Sequence, residues 1–472
     1  MSRRLRGWRP PNTGPNAIVQ LNGPDLLRRS RDLRRNVPHA SRAINLIATH
    51  TVGTGIVPRS LCSNKKVREA LTQLWSDWTA VADSDGLLDF YGLQNLAVTE
   101  MVEAGEAFCR LRARFLSDGL PVPLQLQILP TEMVPLDYST PNGTNAVAQG
   151  IERDAVGRRV AYWTYPQHPE EWIGGAATLD NLPRPIPAED VAHLYNVTRA
   201  GQMRGLPWLA SAITTLHQVA QYQDAELLRK QMAAAVVAFV KKSVEGGADP
   251  AEMAAQWGNV QEALGELPSV EMEPGTVQYL GPNEDIEFLT PGDVGNNYEA
   301  FLASHYRAIA AGTNTLYEEL TGDWKNANDR TFRAALISFK RTVRQWQWGL
   351  VAAQFNVPIW NRFVGYAVSS GALKVPKSVG DADLYRVEWN PERWEYLNPV
   401  QDVQAIGEEL SLGLTSRQAA IAARGDDIEV IDAQRQQDQE REQSLGIAFQ
   451  APGTIAAASA EPDAPADGHQ PG

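Results

Sequence analysis

Glu318, Glu319 and Asp323 stand within six residues of one another in the stretch GTNTLYEELTGDWKNANDR, and a carboxylate cluster of this kind is what a metal-dependent nuclease places around its ions. No lysine accompanies them in a compact nuclease-like arrangement, so a solvated or helix-capping acidic turn is the reading preferred from spacing. Trp324, Lys325 and Asn326 come directly after. A tryptophan on a polar loop can stack or wedge, and a lysine beside it can touch phosphate; the bland alternative is an aromatic packed beneath its own loop. Asp83, Asp85 and Asp89 resemble half of a calcium loop, but no suitably placed glycine and glutamate complete the set. His168, in the turn PQHPEE, could be a lone ligand and reads more readily as a surface histidine. The chain has no Gly-x-x-x-x-Gly-Lys-Ser/Thr phosphate cradle, no His-Glu-x-x-His and no Gly-x-Ser-x-Gly turn. The expectation is therefore a protein that is not an enzyme and binds no cofactor or metal, with any ATP-driven step supplied by another chain.

The element behind this loop is the clearest in the sequence. Phe332, Leu336, Phe339, Val343, Trp346 and Leu350 recur every three or four residues, which sets them along one side of a helix. Arg330, Arg333, Lys340, Arg341 and Arg344 populate the remaining surface. Such a face is either solvated or turned to phosphate, because cations on a rigid rod attract a nucleic-acid backbone without reading sequence. Asn328 or Asp329 is placed to cap the helix start, and so to satisfy amides that its first turn leaves open.

Composition limits the wider reading. With 472 residues and 43% hydrophobic content the chain can build a large core and divides into more than one domain. Its formal net charge of -13 disfavours a protein that simply coats DNA, although acidic walls can surround a duplex that must slide. Arg28, Arg29, Arg34 and Arg35 belong to a basic amino end, whereas Asp426, Asp427, Glu429 and Asp432 begin an acidic late region. The two cysteines, Cys62 and Cys109, read as buried free thiols. The start MSRRLRGWRPPNTGPN has no apolar run behind it and does not resemble a secretory signal, and no segment is apolar for long enough to cross a membrane.

Along the chain, residues 1–24 read as a flexible basic arm. Helices are expected over 25–35, 39–50 (Ala43, Ile44, Ile47 and Ala48 inward), around Leu71 to Trp78, and over 87–104 using Leu93, Leu96, Ala97 and Met101. AFCRLRARF, PLQLQILP and RRVAYWTYP alternate as antiparallel strands do, so 25–207 forms an α+β body. A long helix begins at Trp208, carrying Ile213, Leu216, Val219, Leu227 and Leu228, and 208–242 is assigned to it. Turns and Gly/Pro breaks make 243–297 an insertion, with a short helix over 253–264. Residues 298–355 contain a helix, the loop and the long helix, and 356–398 a return segment. Two helices fill 399–432, the second with Thr415 and Gln418 spaced as a capping box. An acidic, low-complexity tail is expected over 433–472, disordered from about Ser444.

Taken in order, SRDLRRNVPHASRAINLIATHTVGTGIVPR (30–59), the helix after GLPWLASAI, IAAGTNTLYEELTGDWKNANDRTFRAALISFKR (309–341) and GLTSRQAAIAARGDDIEVI (413–431) resemble the lambda-type portal proteins of tailed bacteriophages, over roughly 25–432. The resemblance implies a portal-protein fold with stem helices, a strand-rich wing, a clip insertion and a helical crown, assembled as a ring of twelve subunits at one capsid vertex. It implies a central channel for double-stranded DNA during packaging and ejection, and partners that include the terminase large subunit, the major capsid or scaffold protein and a head-completion or tail connector protein. The place of action would be the virion, with the host cytoplasm during assembly. Glu319, Asp323, Trp324, Lys325, Asn326 and Asn328 correspond to the channel loop, and the arginines of the amino end with Lys340, Arg341 and Arg344 are candidate contacts. A scaffold without a channel and a packaging-associated nuclease are the rival readings.

Overall fold

The computed structural model describes residues 11–171, 181–235, 239–242, 284–287, 298–394 and 398–447. The chain divides into two compact units, one made of Met1–Asn22, Ile47–Leu206 and Asn328–Gly472, the other of Gly23–Leu46 and Pro207–Ala327.

The first unit is α+β. Its three-stranded antiparallel sheet sets Glu106–Ala113 between Leu124–Leu129 and Val191–Tyr195, with Phe108 opposite both Leu129 and His193. A five-stranded meander runs from Thr140–Asn142 through Asn145–Ala148, Ile151–Arg153 and Arg159–Thr164 to Arg184–Pro187, and a separate pair joins Ile56–Ser60 to Val387–Pro391. Glu106–Ala113, Leu124–Leu129 and Arg159–Thr164 fall in the three segments read as strands from the sequence. Helices Lys65–Thr79 and Phe90–Ala104 bring Trp75, Trp78 and Phe90 together with Trp360, Phe363 and Trp389 in an aromatic core, with ring centroids from 4.9 to 6.4 Å apart. Burying an indole N–H is costly unless it finds an acceptor. Trp78 donates to the Leu124 carbonyl at 2.8 Å and Trp360 to that of Tyr385 at 3.1 Å.

A crossing of backbones fixes two glycines. A Cβ on Gly105, where φ is +98°, would lie 2.3 Å from the Leu206 carbonyl carbon, and one on Gly205 would lie 1.9 Å from the Gly105 oxygen. Only the absence of side chains lets the start of the central strand pass the 204–206 segment. That passage brings Arg204 onto Glu106.

The second unit is helical in the residues described, apart from the strand pair Phe239–Lys242 with Glu284–Glu287. Ile213–Ala235 packs against Tyr298–Thr313 through buried Leu216, Val219, Leu302 and Ile309, with Tyr222 against Phe301 at 4.9 Å and Gln223 donating to the Tyr306 hydroxyl. His39 stacks on Tyr306 at 4.0 Å, and burial lowers its pKa.

Several expectations need correction. The first helix starts at Pro15, not at 25, so the segment from 15 to 24 is no loose arm: Val19 is buried and Pro24 sits inside the helix. Proline removes one backbone donor and usually marks a helix limit, which made Pro24 read as a break; the burial of Val19, Leu27 and Leu33 along the same helix outweighs that loss. Leu96 is exposed because a helical step of about 100° carries it off the face shared by Leu93, Ala97 and Met101. Leu227 and Leu228 are exposed as well: they lie off the face on which Tyr222 and Lys230 meet Tyr298 and Glu226 is buried. Ser416, not Thr415, caps the helix Arg417–Ala422 by accepting the Ala419 amide. The supposed tail from 433 starts inside a helix, Ile428–Leu445, capped by Asp427. Residues 1–10, nearly all of the 243–297 insertion, its 253–264 helix and the stretch from 448 lie outside the described residues.

Both cysteines are buried and unpaired, as expected for a chain long enough not to need a single bridge. Among the described residues no helix is long and apolar enough to cross a membrane.

Candidate functional site

In the second unit, the loop is set by a short helix and its stop. Tyr317–Thr321 ends at Gly322, whose φ of +70° turns the chain out and lets its amide donate to the Glu318 carbonyl at 2.8 Å. Asp323 then organises the rest of the loop. Its carboxylate accepts the Tyr317 hydroxyl at 3.3 Å and the Lys325 amide at 3.2 Å, and the Ala327 amide closes a turn onto the Trp324 carbonyl. The carboxylate of Asp323 raises the pKa of Tyr317, adding to the larger effect of burial. Glu319 is half-buried, and its main-chain carbonyl accepts Arg42 Nε at 3.1 Å. The acidic turn is thus tied into its own unit, and among the described residues no group of three or more metal-ligating side chains converges.

Trp324, Lys325 and Asn326 form the exposed tip. Trp324 is 49% exposed, and Lys325 Nζ lies 3.3 Å from the Glu299 carboxylate in a pair open to solvent on both sides. Such a pair adds little stability and leaves the ammonium available to a second anion.

In the first unit, Asn328 caps the long helix Asp329–Trp346 by accepting the Arg330 amide at 3.0 Å. Its role is therefore to start the rod, which settles the open choice between Asn328 and Asp329. The apolar stripe is where the periodicity put it: Leu336, Phe339, Val343, Trp346 and Leu350 are buried, and Phe332 is half-buried. The rod continues as a π-helical stretch, Gln347–Asn356, into Val357–Ser369. A π segment shifts the side-chain phase. It lets Gln347 donate to the Thr51 carbonyl at 3.0 Å while Trp348 turns outward, 48% exposed.

The basic face of this helix forms one wall of a cleft of about 730 Å³. Ile337, Lys340, Arg344 and Trp348 line that wall; Trp389 and Trp394 line another, and Asp402 and Ile406 of helix Pro399–Ser411 a third. Lys340 Nζ rests 5.2 Å from the centre of the Trp394 ring, a cation–π contact. Burial, with the Arg344 charge beside it, pushes the Lys340 ammonium below its ordinary range, against the pull of Asp402. Arg341 is exposed. The arginines of the amino end sit on the helix Pro15–Asn36: Arg28 pairs with Asp25 at 3.6 Å, Arg29 and Arg35 are exposed, and Arg34 is half-buried.

Sequence reasoning missed this cleft. Trp389 and Trp394 were noticeable as aromatics near the carboxyl end, but nothing in their spacing joined them to Lys340, because the long-helix wall lies more than forty residues before them in sequence.

A match to the family described as phage portal protein, lambda family, spans residues 1–347. The chain belongs to that family. The portal relatives it resembles include a probable portal protein of Halomonas phage phiHAP-1, 24% identical over 91% of this chain and 83% of the relative, and portal protein B of Escherichia phage lambda, 22% identical over 94% and 89%. Among solved structures, a chain from the neck of an empty gene transfer agent particle is similar at a TM-score of 0.49 and 16% identity, covering 91% of this portal family member and 94% of that chain. The family match reaches through the loop of Trp324 and Lys325 and the stripe of the long helix as far as Trp346, the two features that stand out most in the sequence.

Proposed function

We propose that this portal family member forms a closed ring, of twelve copies by family resemblance, at one vertex of a phage capsid, and that double-stranded DNA enters and leaves through its centre. It acts as a conduit and docking platform and catalyses no reaction; a terminase large subunit supplies the energy, and capsid or scaffold and connector proteins bind its outer surfaces. The observation that carries this reading is the family match through residue 347, because it includes the loop whose exposed tip is Trp324, Lys325 and Asn326. In this reading rotational symmetry repeats a weak, sequence-blind contact around the duplex. Weak contacts suit a moving polymer, and the mixed sign of EELTGDWKNANDR supplies them.

Native mass measurement together with negative-stain imaging of the purified chain tests the proposal. A single large mass and ring-shaped particles with a central hole are expected. A monomer or dimer under several assembly conditions would count against the ring, and metal-dependent DNA cleavage lost on changing Glu319 and Asp323 would replace the conduit with a nuclease.

A further inference from the structure

The cleft beside the long helix carries unspent positive charge. Its three carboxylates are engaged: Glu388 pairs with Arg59 at 3.4 Å, Glu392 accepts the Thr54 amide at 2.7 Å, and Asp402 accepts the Asn398 amide at 3.2 Å. Among the described residues Lys340 meets the Trp394 ring and feels Asp402 without an ion pair to it, and the Arg344 side chain has no hydrogen bond or ion pair. On the same wall Ile337 and Trp348 are about half exposed. Behind them, Trp389 is 3% exposed and its indole Nε1 has no acceptor among the described residues.

A second element of the same unit lacks the complementary surface. The helix Ile428–Leu445 has no buried residue. Its beginning is tied down by the Asp427 cap, by Arg68 donating to Glu429 at 3.0 Å and by the Arg417–Asp432 pair. Past Asp432 the hydrogen bonds of its side chains stay within the helix among the described residues, as in Gln436 to Glu440 and Ser444 to the Arg441 carbonyl. Most of a protein helix's stability comes from packing one of its faces, and this helix buries none among the described residues.

We propose that the second half of helix Ile428–Leu445 from one copy of the chain seats in the cleft of a neighbouring copy, with Glu442 against Lys340 and Asp438 against Arg344. The proposal rests on the ring reading and names one of its subunit contacts. The spacing supports it. Ile337, Lys340 and Arg344 are separated by three and four residues, and so are Leu445, Glu442 and Asp438 when read in the opposite direction. At about 1.5 Å per residue, two antiparallel helices then match an apolar side chain and two opposite charges over about 10 Å. Leu445, 63% exposed, meets Ile337. A helix face that carries acidic and apolar side chains matches the free cations and apolar side chains of this wall.

Paired charge reversals decide the question. Lys340→Glu with Arg344→Glu, and separately Asp438→Lys with Glu442→Lys, should each lower the assembled fraction in native mass spectrometry about tenfold, with the thermal midpoint of the unassembled chain retained. Mixing the two variants should restore assembly, since each then offers the other a matching partner. Recovery only when all four changes share one chain would mean that the helix folds back on its own cleft, and no recovery in either case would overturn the pairing. A synthetic peptide of residues 428–447 should also quench or shift tryptophan emission of the full chain, and should fail to do so with the Lys340→Glu, Arg344→Glu variant. Should the wild-type chain never assemble, the ring reading falls, yet peptide binding would still sustain this contact and its absence would end it. Assembly of both reversed variants at the wild-type level would end it with the ring intact.

Discussion

Burial alone would neutralise Glu106, but Arg204 places its guanidinium on both carboxylate oxygens, with Nε contacts at 2.8 and 2.9 Å, and His193 and the Gly205 amide supply further bonds at 2.9 and 3.0 Å. The charge of Arg204 and the His193 bond win, and the carboxyl is held at about 2. His193 goes the other way. Burial, aided by the Arg159 and Arg204 charges, lowers it to about 4 despite Glu106, so the neutral ring donates Nε2–H to Glu106 and accepts Arg159 at Nδ1, 3.1 Å away. Two pH windows result. Between about 6.5 and 4 the unfolded chain binds a proton at this histidine that the folded chain refuses, so stability falls as pH falls, by on the order of 3 kcal/mol. Between about 4.5 and 2 the unfolded chain protonates the Glu106 carboxyl first, and stability falls again. Urea unfolding of wild type and His193→Gln across these windows checks the argument: the variant should lose most of the upper slope, keeping the share that buried His39 contributes, and keep the lower one, and a flat wild-type curve from pH 6.5 to 4 would refute it. Nothing of this group was legible in the sequence, because Glu106 and Arg204 are 98 residues apart and only the Gly105–Gly205 crossing brings them together.

Among the elements, legibility followed burial on one face. The long helix was readable because its stripe alternates by threes and fours without interruption, and every member from Leu336 on is buried. Leu124–Leu129 was readable because its apolar and polar residues alternate, whereas Val191–Tyr195 is buried along its whole length and offers no alternation. The helix at the amino end was half missed because Pro24 looks like a stop, and Ile428–Leu445 was taken for a tail because, with no buried face, it has no period to read. Of the predicted loop and basic-face residues, Asn328 proves to be a cap, Asp323 a loop organiser, and Lys340 with Arg344 a cleft wall. The stripe makes a quantitative claim. Phe339 is 5% exposed and meets His50 at 5.0 Å and Trp394 at 6.2 Å, so Phe339→Ala should cost about 3–5 kcal/mol through lost burial and a cavity. Arg341→Ala, on the exposed face of the same helix, should stay within about 0.5 kcal/mol. Chemical denaturation of the two variants beside wild type measures both; equal losses would mean that the stripe is not what fastens the rod.

For the whole molecule, the acidic balance and the basic tip must be reconciled, since a chain of net charge -13 repels the polymer it is proposed to pass. A channel gains from that repulsion if only a few cations per copy reach the duplex, because long-lived ion pairs would hold DNA in place and screening weakens exposed ones within about 10 Å at moderate salt. Lys325 suits such a light contact, because it extends from a loop fastened by Asp323 and Gly322, and the Glu299 carboxylate it pairs with is itself 77% exposed and can give way. The expectation is that Lys325→Glu leaves ring mass unchanged and alters how much DNA is packaged or retained in particles, whereas Lys325→Gln does so to a smaller degree. Reversal also sets two carboxylates against each other at Glu299, so Lys325→Glu combined with Glu299→Lys separates that local repulsion from the effect on DNA. If the loop tip meets DNA, the combined variant keeps the packaging defect, because the tip still carries the wrong sign. Restored DNA handling in the combined variant, or loss of rings while the surviving rings handle DNA normally, would place Lys325 in the fabric of its own unit and away from the duplex.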